Sequence, residues 1–200
     1  MITPFGIGII SATRLPEFES RRDKPHPVPH RARKCERQDE SEPEAQSFTD
    51  EPIRPVMKMT QAAYEAVMED LAGQPFEREQ GGMFLGPDDA QHLVTRYVKD
   101  EHGLSTAGSF TIDHEVLNGV IQHVRPAHLT CVGLVHSHPN GICRPSGGDL
   151  HFLHRIFSSP KNGNGSHSFL FPIVCNRQLH PFIVDTRDVR RMLPAELQLV

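Results

Sequence analysis

From His128 to Val135 the chain reads His-Leu-Thr-Cys-Val-Gly-Leu-Val, which implies a strand with apolar residues on both faces. Leu129, Cys131, Gly133 and Val135 fall on one face, and Thr130, Val132 and Leu134 on the other. Such a strand must be covered on both sides, so it belongs at the centre of a sheet with other elements packed against it. The candidates for that cover lie on either side in the sequence. Thr60 is placed to cap a helix carrying Tyr64, Val67, Met68 and Leu71 at helical spacing before Gly73. Asp113 leads into a second helix with Leu117, Val120, Ile121 and Val124 on one stripe, and Asp149 into a third with Leu150, Leu153, Ile156 and Phe157.

Further strands are predicted at 82–86, 93–98, 109–112, 169–175 and 181–184. Pro172 interrupts the fourth and implies an edge position or a bulge there. Ser158 to Ser166 reads as a Gly and Asn loop, and the tail from Thr186 to Val200 as one short terminal helix. Strands mixed with helices, without an internal repeat, give a layered α/β or α+β domain. Two hundred residues suit one such domain plus a tail. Residues 1–56 are expected to be a flexible leader, because 12–56 is dominated by Arg, Asp, Glu, Ser and Gln, with prolines at 16, 25, 27, 29, 43, 52 and 55. His26 and His30 are read there as solvated. The folded domain is then expected over 57–200, and translation starting at Met57 or Met59 would yield it alone.

The composition narrows the function. A formal net charge of -4 offers no clustered positive surface for nucleic acid. No apolar run approaches the roughly 20 residues of a membrane span, and Met1 to Ile10 lacks the basic start of a secretory signal. The expected compartment is cytoplasmic, and the expected partner is another protein. Cys35, Cys131, Cys143 and Cys175 are scattered without a CxxC pair, as reduced thiols would be.

The chemistry concentrates where the central strand ends. His136 and His138 stand two apart on a strand, hence on one side, and the turn residues after Pro139 can bring Asp149 back to them. Two imidazoles and a carboxylate suit Zn2+, one per chain, and three protein ligands leave a vertex for water, which is the catalytic pattern. Zinc held there would lower the pKa of water to about 7. The base such a site needs is assigned to Glu79, in Glu-Gln-Gly-Gly-Met-Phe-Leu-Gly, where Gly81 and Gly82 allow close approach of a backbone or a ligand. Glu77 would share its face if the strand began that early. Ser146 could donate to the oxyanion of a tetrahedral intermediate, although Ser146 and Asp149 also spell a helix capping box.

Glu79, His136, Ser137, His138, Pro139, Ser146 and Asp149 together resemble the JAMM motif of the JAB1/MPN/Mov34 (MPN-domain) zinc metalloproteases. The resemblance covers about 57–185 and is greatest with the compact prokaryotic branch. It implies a cytidine-deaminase-like sandwich of helices around a mixed sheet. It implies hydrolysis of isopeptide or peptide bonds at the C-terminus of ubiquitin-like proteins, with proteins similar to activating and conjugating enzymes (E1/E2-like) as possible partners. The short loops at Gly86 to Gln91 and Ser158 to Ser166 lack the insertions that help eukaryotic relatives grip ubiquitin. Two other readings stand beside this one: a non-catalytic MPN interaction module, and a zinc peptidase acting on cell-wall or phage-tail peptides.

Other motifs carry less. His151 and His154 share a helix face but read as exposed or supporting residues, and Cys143 as a passive loop thiol. His114-Glu115 opens a zincin-like pattern that Asn118 leaves incomplete. Gly6 and Gly8 lack the strand before and the glycine after that a nucleotide-binding turn requires, and Asn164-Gly165-Ser166 is an isolated sequon.

Overall fold

The computed structural model describes residues 54–73, 78–106, 108–138, 141–159, 162 and 166–200. Gly6, Gly8, His26, His30, Cys35, Glu77, Pro139 and Asn164 lie outside the described residues, as does the expected leader up to residue 53. The first strand, β1 (Val56–Met59), opens one residue ahead of the expected domain boundary. Both of its methionines are fully buried, so a chain starting at Met59 would lack most of a core strand. Thr60 ends β1 and caps α1 (Gln61–Leu71) by accepting the Ala63 N–H on its side chain, which is worth about 1 kcal/mol.

The next elements are β2 (Gly81–Pro87), β3 (Leu93–Val94) and β4 (Arg96–Lys99), so the strand predicted at 93–98 is two strands broken at Thr95. A hairpin of β5 (Leu104–Thr106) and β6 (Ser109–Thr111) follows, then α2 (His114–Val124), capped by the Asp113 carboxylate. The long β7 (Leu129–Ser137) leads to α3 (Gly147–Phe157). The remainder is β8 (Ser168–Leu170), β9 (Ile173–Cys175), β10 (Gln178–His180), β11 (Phe182–Asp185), β12 (Asp188–Pro194) and β13 (Glu196–Leu199). Among the described residues no helix is long and apolar enough to cross a membrane.

β7 is the centre of the main sheet, as its two apolar faces require. β2 runs antiparallel along one edge with β4 outside it; the other edge takes β8 and then β9, both parallel. Helices α2 and α3 cover one face, through Leu117, Ile121, Leu153 and Ile156 against Met83, Leu85, Cys131 and Phe169. Helix α1 and the small parallel sheet β13-β1-β3 cover the other, through Met57, Met59, Val67 and Leu71 against Phe84, Val132 and Leu170. The fold is thus the layered mixed α/β architecture expected.

Three expectations are corrected. Pro172 marks neither an edge nor a bulge: it lies between β8 and β9, where the outer neighbour of this segment changes from β11 to β10. The tail is not helical. Its backbone pairs instead with two open edges, β12 antiparallel to β11 and β13 parallel to β1, and Pro194 between them could not continue a helix.

The simple alternation of β7 also fails, because Phe84 pairs with Gly133 and Leu85 with Cys131, leaving Val132 as an extra residue on β7. Beyond this bulge the faces exchange. Leu134 joins Cys131 under α2 and α3, whereas Val135 joins Val132 on the α1 side.

Candidate metal centre

His136 closes β7 and follows Leu134 onto the α2/α3 face, where its ring lies 5.1 Å from that of Phe171. His138 comes just after the strand, and its N–H donates to the Val174 carbonyl of β9 at 2.9 Å. Its Nδ1 lies 2.7 Å from the Ile142 carbonyl, which can only accept. Nδ1 therefore carries a proton, and Nε2 is the nitrogen turned inward, the orientation a ligating histidine needs. The two Nε2 atoms are 2.9 Å apart.

Asp149 arrives from the first turn of α3. Its Oδ1 is 3.1 Å from His136 Nε2 and its Oδ2 is 3.4 Å from His138 Nε2. The capping box is present as well: Ser146 Oγ accepts the Asp149 N–H at 3.2 Å, and Asp149 Oδ2 accepts the Ser146 N–H at 2.6 Å. Capping thus aims the carboxylate, and because Ser146 Oγ uses a lone pair for the cap, its own O–H stays free to donate elsewhere.

Glu79 enters just before β2, and its carboxylate lies with the two histidine nitrogens in a group whose ligand atoms are all within 4.8 Å of one another. Its placement depends on the two neighbouring strands. Its N–H donates to the Thr106 carbonyl at 2.8 Å, and its carbonyl accepts from the Ser105 hydroxyl, so the β5–β6 hairpin holds its backbone. On the other side Ser137 N–H donates to the Gln80 carbonyl at 2.7 Å, and Ser137 Oγ accepts the Gln80 N–H at 3.0 Å. Ser137 thus points away from the histidines, as strand alternation requires, and ties the Glu79 segment to them. Gly81 serves the approach of a backbone rather than a ligand: a Cβ there would stand 2.5 Å from the Val135 carbonyl oxygen.

Burial and charge tune these groups. Glu79 is 8% exposed, and burial raises its pKa against the pull of His136 and His138, with Asp149 adding to the rise. Asp149 is held well below the usual carboxylate range. Burial opposes that shift, but hydrogen bonds from His136, His138 and the Ser146 N–H outweigh it. His138 is raised because its bonds to Asp149 and Ile142 and the nearby carboxylates overcome its burial. A buried carboxylic acid poised upward beside an anionic carboxylate separates an acid/base group from a ligand.

The donor set fits zinc. Tetrahedral ligands at the usual zinc distances stand about 3.3 Å from one another, and the spacings among His136, His138 and Asp149 bracket that value. The structure therefore brings together Glu79, His136, His138, Ser146 and Asp149. His151 and His154 stay exposed on α3, the latter 3.4 Å from Ser158 Oγ. The supports that sequence reasoning missed are Ser105, Thr106 and the tether made by Ser137. Gly108, between Thr106 and Ser109 in a short run of small and hydroxyl residues, was the available sign of the hairpin.

A family model described as prokaryotic homologs of the JAB domain matches residues 60–191. Among solved structures, the fold is similar to that of a Desulfitobacterium hafniense protein determined in solution, with a TM-score of 0.55 and 18% identity over 72% of this chain and 92% of that one. A crystal structure of a JAB1/MPN domain protein from Archaeoglobus fulgidus also matches at 18% identity, over 72% of this chain and 99% of that one, with a TM-score of 0.41. No curated protein matches the sequence.

Proposed function

The chain belongs to the prokaryotic homologs of the JAB domain, and from that membership we propose that it is a zinc-dependent metallopeptidase. The bonds it cleaves are isopeptide or peptide bonds at the C-terminus of ubiquitin-like proteins. The observation that carries the reading is the convergence of Glu79 with His136 and His138, both of which also contact Asp149.

His136, His138 and Asp149 hold the metal, which when bound supplies a Lewis acid for the scissile carbonyl and acidifies water. The Ile142 carbonyl holds the His138 Nδ1 proton, so that Nε2 is the nitrogen that would ligate. Glu79, with its raised pKa, takes the proton of the attacking water and passes it to the leaving amine. Ser146 donates its free O–H to the developing oxyanion. Leu104 and Ile142, exposed at 75% and 50%, lie on the segments that hold Glu79 and His138. They supply apolar contacts for an extended C-terminal tail, and E1/E2-like proteins would furnish the conjugates.

The test is a panel of ubiquitin-like fusions, with cell-wall peptides as the contrasting substrates. Wild type with zinc is expected to cut the fusions. Glu79→Gln should keep stoichiometric zinc while losing about 10²- to 10⁴-fold in rate, and His136→Ala should lose the metal. Zinc-loaded protein that leaves every fusion intact, or a Glu79→Gln variant of unchanged rate, would overturn the proposal.

A further inference from the structure

The segment 141–146 ahead of α3 carries a reactive group that the proposed hydrolysis does not use. Cys143 is partly exposed; its thiol donates to the Gly141 carbonyl at 3.7 Å and interacts electrostatically with the thiol of Cys175 at the end of β9. Asn176, the next residue, donates its side-chain amide to Cys143 Sγ at 3.4 Å, so a second contact holds this sulfur against the end of β9. The β9–β10 connection is a tight turn with Asn176 at φ 52° and Arg177 at φ 61°, which fixes where Cys175 and Asn176 stand. Cys131, by contrast, is buried in β7 under α2 and α3.

We propose that Cys143 and Cys175 are a redox modification site, two thiols that convert reversibly to a disulfide and fasten the metal-site loop to β9. The oxidant is a small disulfide of the oxidised glutathione class. The partly exposed Cys143 thiolate attacks one of its sulfurs, forming a mixed disulfide and releasing one glutathione thiolate. The Cys175 thiolate then attacks Cys143 Sγ in that mixed disulfide, forming the protein S–S bond and expelling the second glutathione. Two protein thiols lose two electrons and two protons, and one oxidised glutathione becomes two thiols. The order follows from access: Cys175 is 2% exposed, and burial together with the Cys143 contact pushes its thiol up to about 12, so it is the resolving and not the attacking sulfur.

The bond would act on the loop whose Ile142 carbonyl holds the His138 Nδ1 proton and whose end, Ser146, caps α3. It would close a loop of roughly thirty residues, enough to raise Tm by roughly 5–10 °C. The inference does not rest on the proposed hydrolysis, and its test reads neither metal nor substrate.

Full-length protein is incubated with oxidised glutathione, the remaining thiols are alkylated, and the digest is mapped by mass spectrometry without reductant. The expected result is a linked pair of peptides containing Cys143 and Cys175, dissolved by dithiothreitol, with Cys131 still a thiol and Tm higher in the oxidised form. Cys143→Ser, a change at a partly exposed position that leaves the core intact, should show no linked pair and the same Tm with and without oxidant. Separate alkylation of both thiols after oxidant would overturn the proposal. So would Cys143 recovered only as a glutathione adduct or bonded to Cys35.

Discussion

Replacing Gly81 by alanine adds one methyl group at the point where β2 passes His136. The new Cβ would lie 2.5 Å from the Val135 carbonyl oxygen, 2.8 Å from Phe110 Cε1 and 3.0 Å from His136 Cβ. The first of these atoms is backbone and cannot rotate aside. Ordinary carbon-to-carbonyl contacts begin near 3.3 Å, so the strands must part by about 0.8 Å. Overpacking of this kind costs about 1–3 kcal/mol, a fall in Tm of roughly 3–10 °C at this chain length. Glu79 travels with β2 and His136 with β7, so the same displacement separates the proposed base from the proposed ligands. A shift near 1 Å in a positioned group can cost about 10²-fold in rate.

The control is Gly119→Ala in α2, where nothing lies within 4 Å of the added Cβ. It should stabilise by about 0.5–1 kcal/mol through helix propensity and leave the rate unchanged. Urea denaturation of both variants, with turnover of one ubiquitin-like fusion, measures both effects. If Gly81→Ala matched Gly119→Ala in stability and wild type in rate, Gly81 would not set the distance between Glu79 and His136.

Ser146 has two roles that substitutions can separate. Ser146→Ala should lose about 1 kcal/mol of cap and 10²- to 10³-fold in rate, whereas Ser146→Gly, a tolerated N-cap, should lose the rate with only a few tenths of a kcal/mol in stability; a fully active glycine variant would leave Ser146 a cap alone. In metal-free protein the pH dependence follows from opposite shifts. Asp149 has a folded pKa below its unfolded value, so its contribution is complete above about pH 4 and is lost as pH falls. His138 has a folded pKa above its unfolded value, so its contribution is complete below about pH 6.5 and is lost as pH rises through the folded value. The stability gap between wild type and Asp149→Asn, followed by urea midpoint, should therefore be widest between about pH 4 and 6.5. A gap that kept growing towards pH 8 would contradict the pairing.

The convergence of His136, His138 and Asp149 was legible because a metal site confines its candidate ligands to few spacings: two apart on a strand, and a capping carboxylate at the start of a helix. The helices were legible for a similar reason, since Thr60, Asp113 and Ser146 are local caps and act within three residues. What failed was non-local. Met192, Leu193, Ala195, Glu196 and Leu197 favour a helix by propensity, yet the edges of β11 and β1 claim their backbone, and no pattern within the tail announces those edges. Ser105 and Ser137 are likewise ordinary strand residues until the fold puts them on either side of Glu79.

The aim of the histidines depends on Val132, which strict alternation treats as an ordinary strand residue. Counted by strict alternation, His136 shares a face with Val132, and Val132 packs against α1. Had β7 been regular, His136 would have faced α1, on the far side of the sheet from the N-terminus of α3 where Asp149 sits. The unpaired Val132 exchanges the faces once, and the exchange turns His136 towards Phe171 and Asp149. The bulge costs β7 a regular pair in the middle of the sheet, and the same exchange points Ser137 away from the metal centre, where it binds the Gln80 backbone. One extra residue thus aims the ligand and turns the Glu79 tether to the other side of the strand. The two histidines and Glu79 are thus coupled through β7.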